Sequence, residues 1–140
     1  MKKILIIGGG AMGSAFSVPC LDNNNKVTIT EPYNKFFIKD FLSKKRFHSG
    51  LKLNLPKKLK FKHYSKKIFS EKFDLIVIAL SLSGINFIGK ELKNIKNKTP
   101  ILILTKGLKY DKKKNKILTI SELLDKTYNL KNLTVLKGPC

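Results

Sequence analysis

The sequence predicts an α/β fold, a doubly wound parallel sheet with helices on both faces. Three observations predict it. The chain opens on an apolar run, Lys3-Ile4-Leu5-Ile6-Ile7, that breaks into glycines. Two further runs, Phe73 to Leu80 and Thr99 to Thr105, are apolar at successive positions, as strands buried on both faces of a parallel sheet are. Stretches with helical apolar spacing separate the runs, and strands alternating with helices give parallel strands joined by right-handed crossovers.

The first run ends in Gly8-x-Gly10-x-x-Gly13. This spacing suits a dinucleotide's pyrophosphate in a Rossmann-type domain. Gly8 permits the tight turn out of the strand, Gly10 lets backbone N–H groups approach the phosphates, and Gly13 lets the helix pack on the strand. The phosphate charge then rests on a helix N-terminus. Glycine-rich turns after strands also occur without a ligand, so context decides. The next strand, Lys26 to Thr30, ends at Glu31, about 20 residues beyond the turn, where a ribose-binding acid belongs. A carboxylate there accepts the ribose hydroxyls of NAD and repels a 2′-phosphate. NAD is therefore the expected cofactor, with NADP kept open because Lys35 and Lys39 lie near in sequence.

A chain of 140 residues that is 42% hydrophobic is long enough for one domain with a real core, assigned here to residues 1–140. No apolar stretch approaches the roughly 20 residues of a membrane span, and Met1-Lys2-Lys3 is too short for a signal peptide, so the expected location is cytoplasmic. Cys20 and Cys140 have no metal-ligand or disulfide spacing and read as reduced thiols; no metal site is expected. The net charge of +20 invites a nucleic-acid partner, but Arg46 is the one arginine and the lysines lie in every loop and solvent face. Neither nucleic acid nor an integral membrane segment is expected as a partner.

In chain order, Ala11, Ala15 and Val18 are expected to face the sheet from the first helix, with Pro19 kinking or finishing it. Asn34 caps a helix that turns Phe37, Ile38, Phe41 and Leu42 to one side. Residues 43–56 read as an irregular loop over the rim of the site. Leu59, Phe61 and His63 alternate with lysines and predict a short strand with His63 inward. His48 and His63 sit in no pattern with a nucleophile or ligands, and both read as structural. Ile85, Ile88, Leu92 and Ile95 form the stripe of the next helix, and residues 110–116 read as a basic loop. Thr119-x-x-Glu122 has capping-box form and opens a helix with Ile120, Leu123 and Leu124 inward, before a last strand, Leu133 to Leu136. Ligands sit at the carboxyl ends of strands in such sheets, which gathers Gly8 to Gly13, Glu31, Ser81 to Gly84, Lys106 and Gly138 to Cys140 along one edge. Lys106, directly after an apolar strand, is given a functional role on that position.

These motifs resemble the NAD(P)-dependent glycerol-3-phosphate dehydrogenase family, N-terminal domain. The likeness rests on Gly8-Gly9-Gly10-Ala11-Met12-Gly13-Ser14-Ala15 with Val18-Pro19 and Asp22-Asn23, on His48 to Asn54, on Thr105-Lys106-Gly107-Leu108, on Leu118 to Glu122 and on Gly138-Pro139-Cys140. It implies reversible hydride transfer between sn-glycerol 3-phosphate and dihydroxyacetone phosphate for glycerophospholipid synthesis. Spacing and strand-end placement make Gly8, Gly9, Gly10, Gly13, Glu31, Ser81 and Ser83 the cofactor contacts, and the resemblance implies contacts from Ala11, Met12 and Lys106 as well. Lys106 also touches substrate, with Gly138 and Cys140, and Cys140 stands where many members have serine. The family carries a second, helical domain that supplies the general acid/base lysine. This chain ends where that domain would begin, so a fragment that binds dinucleotide without turnover is expected. The partners are then a small-molecule substrate and, compatibly with the family, a second copy of the full-length protein. The other readings are an oxidoreductase resembling ketopantoate reductase, and a non-catalytic NAD-sensing Rossmann module.

Overall fold

The computed structural model describes residues 1–43, 45–93, 99–112 and 115–136. The first apolar run forms β1, Lys3–Ile7, and the glycines lead into α1, Ala11–Asp22. Then follow β2, Lys26–Glu31, and α2, Lys35–Leu42, which starts where Asn34 Oδ1 accepts the N–H of Phe37 at 3.0 Å. A small antiparallel hairpin, β3 (Phe47–His48) and β4 (Leu53–Asn54), precedes β5, Lys60–His63. After a 3₁₀ turn at Lys66–Ser70 come β6, Leu75–Ile78, a second 3₁₀ turn at Leu82–Gly84, and α3, Ile85–Lys93. The chain continues through β7, Ile101–Ile103, a hairpin of β8 (Leu108–Asp111) and β9 (Lys116–Thr119), α4, Ile120–Tyr128, and β10, Leu133–Val135.

Six strands form one parallel sheet in the order β5-β2-β1-β6-β7-β10. The chain winds outward from β1 to one side, returns, and winds to the other, so the order reverses between β1 and β6. Such a switch point opens a crevice beyond the strands' carboxyl ends.

Alternation along β1 divides the core and explains its unbroken apolar run. Leu5 and Ile7 join Ile78, Ile85, Ile88, Leu124 and Tyr128 under α3 and α4. Ile4 and Ile6 join Val27, Ile29, Phe37 and Phe41 under α1 and α2. On the first face Tyr128 of α4 fits where α3 has no side chain: a Cβ on Gly89 would stand 2.3 Å from its ring.

Several local expectations are corrected. The face of α1 on the sheet is Gly13, Ser14 and Ser17, while Ala11 and Ala15 are exposed and Val18 is half-buried. Serine is tolerated there because each hydroxyl has a near acceptor: Ser14 Oγ donates to Gly9 O at 2.9 Å and Ser17 Oγ to Ser14 O at 2.6 Å. Pro19 is exposed and α1 runs on to Asp22, so the proline falls in the last turn. Leu42 is exposed at the end of α2. His63 is exposed: β5 is an edge strand, Phe61 meets the α2 aromatics, and the His63 ring stands edge-on to Phe61 at 5.0 Å. The stretch read as a basic loop carries the β8–β9 hairpin, and residues 43–56 carry β3 and β4. Ile95 lies outside the described residues. No helix among the described residues is long and apolar enough to cross a membrane, and they hold no metal-ligating cluster of three or more.

The capping box of α4 is present on both sides. Glu122 N–H donates to Thr119 Oγ1 at 3.3 Å, and Glu122 Oε2 accepts the Thr119 N–H at 2.9 Å. That backbone bond, then Lys126 at 3.2 Å and the Thr119 hydroxyl, lowers the Glu122 carboxyl from the ordinary 4.5 to about 2. A depressed acid stabilises the fold above its unfolded value, and the stabilisation is lost as pH falls through the folded value. Thermal melts of the wild type should therefore fall more steeply than those of Glu122→Gln between pH 4.5 and about 2. Above that window the two profiles should run parallel, and parallel profiles throughout would contradict the assignment.

Candidate functional site

At the switch point β1 turns into α1 against the end of β6. Gly8 has φ +113°, a conformation side chains avoid, and a Cβ there would stand 2.4 Å from Ala79 O. Its N–H donates to Thr30 O at 2.9 Å, and Ala79 N–H donates to Ile7 O at 2.8 Å, so the three strand ends are sewn together. Gly13 brings the helix onto the turn: a Cβ would stand 2.1 Å from Gly8 O. Gly10 is the N-cap residue of α1 and provides no side-chain cap; the space where its Cβ would stand is open for 4 Å. The N–H groups of the first helical turn, at Ala11, Met12 and Gly13, have no partner within the helix itself. A helix end of this kind attracts an anion through its amides and its dipole.

Glu31 ends β2 beside this turn and is 5% exposed. Its Oε2 accepts the Gly9 N–H at 2.6 Å, and its Oε1 accepts Tyr33 N–H at 2.8 Å and Asn34 N–H at 3.0 Å. One carboxylate thus fixes the glycine turn and the start of α2. Tyr33 next to it is half exposed and stands edge-on to Phe87 of α3, ring centres 5.2 Å apart. Farther along, the Tyr64 hydroxyl donates to Glu91 Oε2 at 3.1 Å; burial, then the Glu91 charge, pushes its pKa well above the ordinary tyrosine value.

On the other side of the turn, a cleft of about 280 Å³ is lined by Met12, Ala79, Leu80, Ser81, Leu104, Thr105 and Lys106. A second of about 230 Å³, between Lys106, Leu108, Ile120 and Leu136, shares the same lysine. Lys106 is exposed, and its backbone is set on both sides. Thr105 is buried and its Oγ1 donates to Leu80 O at 2.8 Å, tying the end of β7 to that of β6. Gly107 follows at φ +137°. Ser81 and Ser83 bond to each other through their hydroxyls at 2.8 Å in the turn before α3.

The expected residues Gly8, Gly9, Gly10, Ala11, Met12, Gly13, Glu31, Ser81, Ser83 and Lys106 thus lie around one crevice at the carboxyl ends of β1, β2, β6 and β7. Gly138 and Cys140 lie outside the described residues. Sequence reasoning missed the parts of Thr105 and His48. Thr105 had a signal in its place at a strand end; His48 had one only as part of the His48 to Asn54 stretch of the family likeness, and nothing local pointed to its partner, Gly9, 39 residues distant.

Residues 3–140 match the family described as NAD-dependent glycerol-3-phosphate dehydrogenase N-terminus. The chain belongs to that family. Glycerol-3-phosphate dehydrogenase [NAD(P)+] of Clostridium botulinum (strain Alaska E43 / Type E3) is 33% identical over 144 residues, covering 99% of this chain and 41% of the relative. Two solved structures share the fold. The glycerol-3-phosphate dehydrogenase of Coxiella burnetii has a TM-score of 0.71 at 20% identity, over 99% of this chain and 41% of that one. That of Plasmodium falciparum has 0.73 at 21%, over 96% and 39%. The chain thus spans about two fifths of the relatives it matches. The family match favours this reading over a ketopantoate-reductase-like enzyme or a free-standing NAD sensor.

Proposed function

We propose that this chain is the cofactor-holding part of a cytoplasmic glycerol-3-phosphate dehydrogenase, transferring hydride between sn-glycerol 3-phosphate and dihydroxyacetone phosphate for glycerophospholipid synthesis. The observation that carries the proposal is the uncapped N-terminus of α1, open above Gly10, with the Glu31 carboxylate on the neighbouring peptide. The residues present fit NAD: first-turn amides that have no partner within their helix for the diphosphate, and an acid beside them for a ribose.

When bound, NAD supplies the hydride acceptor. Gly10, Ala11, Met12 and Gly13 hold the diphosphate through backbone N–H groups. Glu31 Oε2, which accepts one N–H, has a lone pair left for a ribose hydroxyl and repels a phosphate in its place. Ser81 and Ser83 add hydroxyls at the crevice wall. Lys106 places its ammonium at the cleft and orients the substrate oxygen. Among the described residues that line the cleft beside Met12, Lys106 is the ionisable side chain, and its ammonium is within the cleft that a reacting carbonyl would enter.

Calorimetric titration of the 140-residue chain with NADH and NADPH tests the proposal. NADH should bind about fivefold more tightly or better, the factor from roughly 1 kcal/mol of like-charge repulsion about 4 Å apart in water. The chain alone should not reduce dihydroxyacetone phosphate with NADH. Tighter binding of NADPH would overturn the NAD preference, and no binding of either cofactor would overturn the site.

A further inference from the structure

Three side chains from three segments hold Gly9. Its N–H donates to Glu31 Oε2, while its carbonyl accepts from Ser14 Oγ at 2.9 Å and lies 3.0 Å from His48 Nε2. His48 belongs to the β3–β4 hairpin and is 6% exposed. Its tautomer follows from its neighbours. Leu51 N–H can only donate, and it is shared between His48 O and His48 Nδ1, each 3.1 Å away, so Nδ1 holds the lone pair. The proton is therefore on Nε2, facing a carbonyl that can only accept.

The Gly9 carbonyl and the Gly10 N–H belong to one planar trans peptide and point in opposite directions. Clamping the oxygen from the hairpin side aims the N–H to the other side, towards the open entrance of α1. Two donors on one carbonyl also polarise the peptide and strengthen its N–H as a donor.

Resting on the dinucleotide reading above, we infer that His48 is a positioning residue: its Nε2–H orients the Gly9–Gly10 peptide so that the Gly10 N–H meets the diphosphate. The hairpin is braced for this task. Ser49 N–H donates to Asp40 Oδ2 at 3.3 Å, and Leu55 N–H to Arg46 O at 2.9 Å. The Arg46 guanidinium lies 4.2 Å over the Phe41 ring and donates to the carbonyls of Lys57 and Leu59 at 2.9 and 2.6 Å. Phe37 packs against the imidazole with ring centres 5.7 Å apart and fills the space where a side chain on Gly9 would stand.

The test compares the 140-residue wild type with His48→Phe and His48→Gln, by NADH titration and by NMR of the Gly10 amide, with thermal melts alongside. Phenylalanine keeps a ring against Phe37 and lacks both nitrogens; glutamine returns an N–H near the position of Nε2. His48→Phe should weaken NADH binding about tenfold, shift the Gly10 amide resonance and speed its exchange, and His48→Gln should return affinity to within about threefold of the wild type. Unchanged NADH affinity and an unmoved Gly10 amide in folded His48→Phe would overturn the positioning role and leave the dinucleotide reading standing. If the wild type binds no NADH, that reading falls, and the Gly10 amide comparison still decides whether His48 aims the peptide. Should His48→Phe not fold, a folded His48→Gln that loses both affinity and the Gly10 signature would overturn the role, and one that retains both would support it.

Discussion

Gly8→Ala should lower stability by about 3 kcal/mol and abolish measurable NADH binding, because two costs fall on one methyl group. The residue would be held at φ +113°, and its Cβ would press on backbone atoms, 2.4 Å from Ala79 O and 2.7 Å from Ala79 C. A flexible side chain in that place could swing away, but Ala79 is fixed by its N–H bond to Ile7 O, and Gly8 by its own bond to Thr30 O. Relief therefore requires parting β1 from β6, the pair whose ends flank the crevice. Chemical denaturation and NADH titration check this. A variant with the wild-type midpoint and affinity would show that the turn tolerates a Cβ and would remove the steric argument.

Glu31→Ala is the second large effect, with an expected loss of about 2 to 4 kcal/mol from charge-assisted bonds to N–H groups left without their acceptor. The three donors, Gly9, Tyr33 and Asn34, belong to the glycine turn and to the approach to α2, so both should loosen together. Glu31→Gln keeps the shape but replaces one acceptor oxygen with an amide group that faces donors, and it should fall between. The alanine variant should also lose the discrimination between NADH and NADPH, since the repelling charge is gone. Retention of wild-type stability together with the wild-type ratio of affinities would show that Glu31 does neither task.

How much of this was legible in the sequence depended on how far apart the partners are. The six-stranded sheet was readable because β1, β6 and β7 are buried on both faces and their apolar runs have no polar interruption. The capping box was readable because Thr119 and Glu122 are one turn apart. The packing face of α1 was not, because apolarity is the usual guide and the buried residues are serines whose acceptors, Gly9 O and Ser14 O, are backbone atoms. His48 was hidden by separation, since a side chain that serves a peptide bond across the fold leaves no local pattern. His63 followed the alternation of its strand, but alternation cannot show where cover ends on an outermost strand.

That outermost strand has a consequence for assembly. An open β edge is a template on which another chain can add hydrogen bonds, and charged side chains there discourage it. Lys60 and Lys62 are exposed on β5, Lys62 is held by Glu71 at 2.6 Å, and Arg46 occupies the carbonyls of Lys57 and Leu59 at its entrance. A strand added across this border would lie beside two lysine side chains and a guanidinium that already holds the carbonyls leading into it. Charge on this border thus discourages aggregation by strand addition.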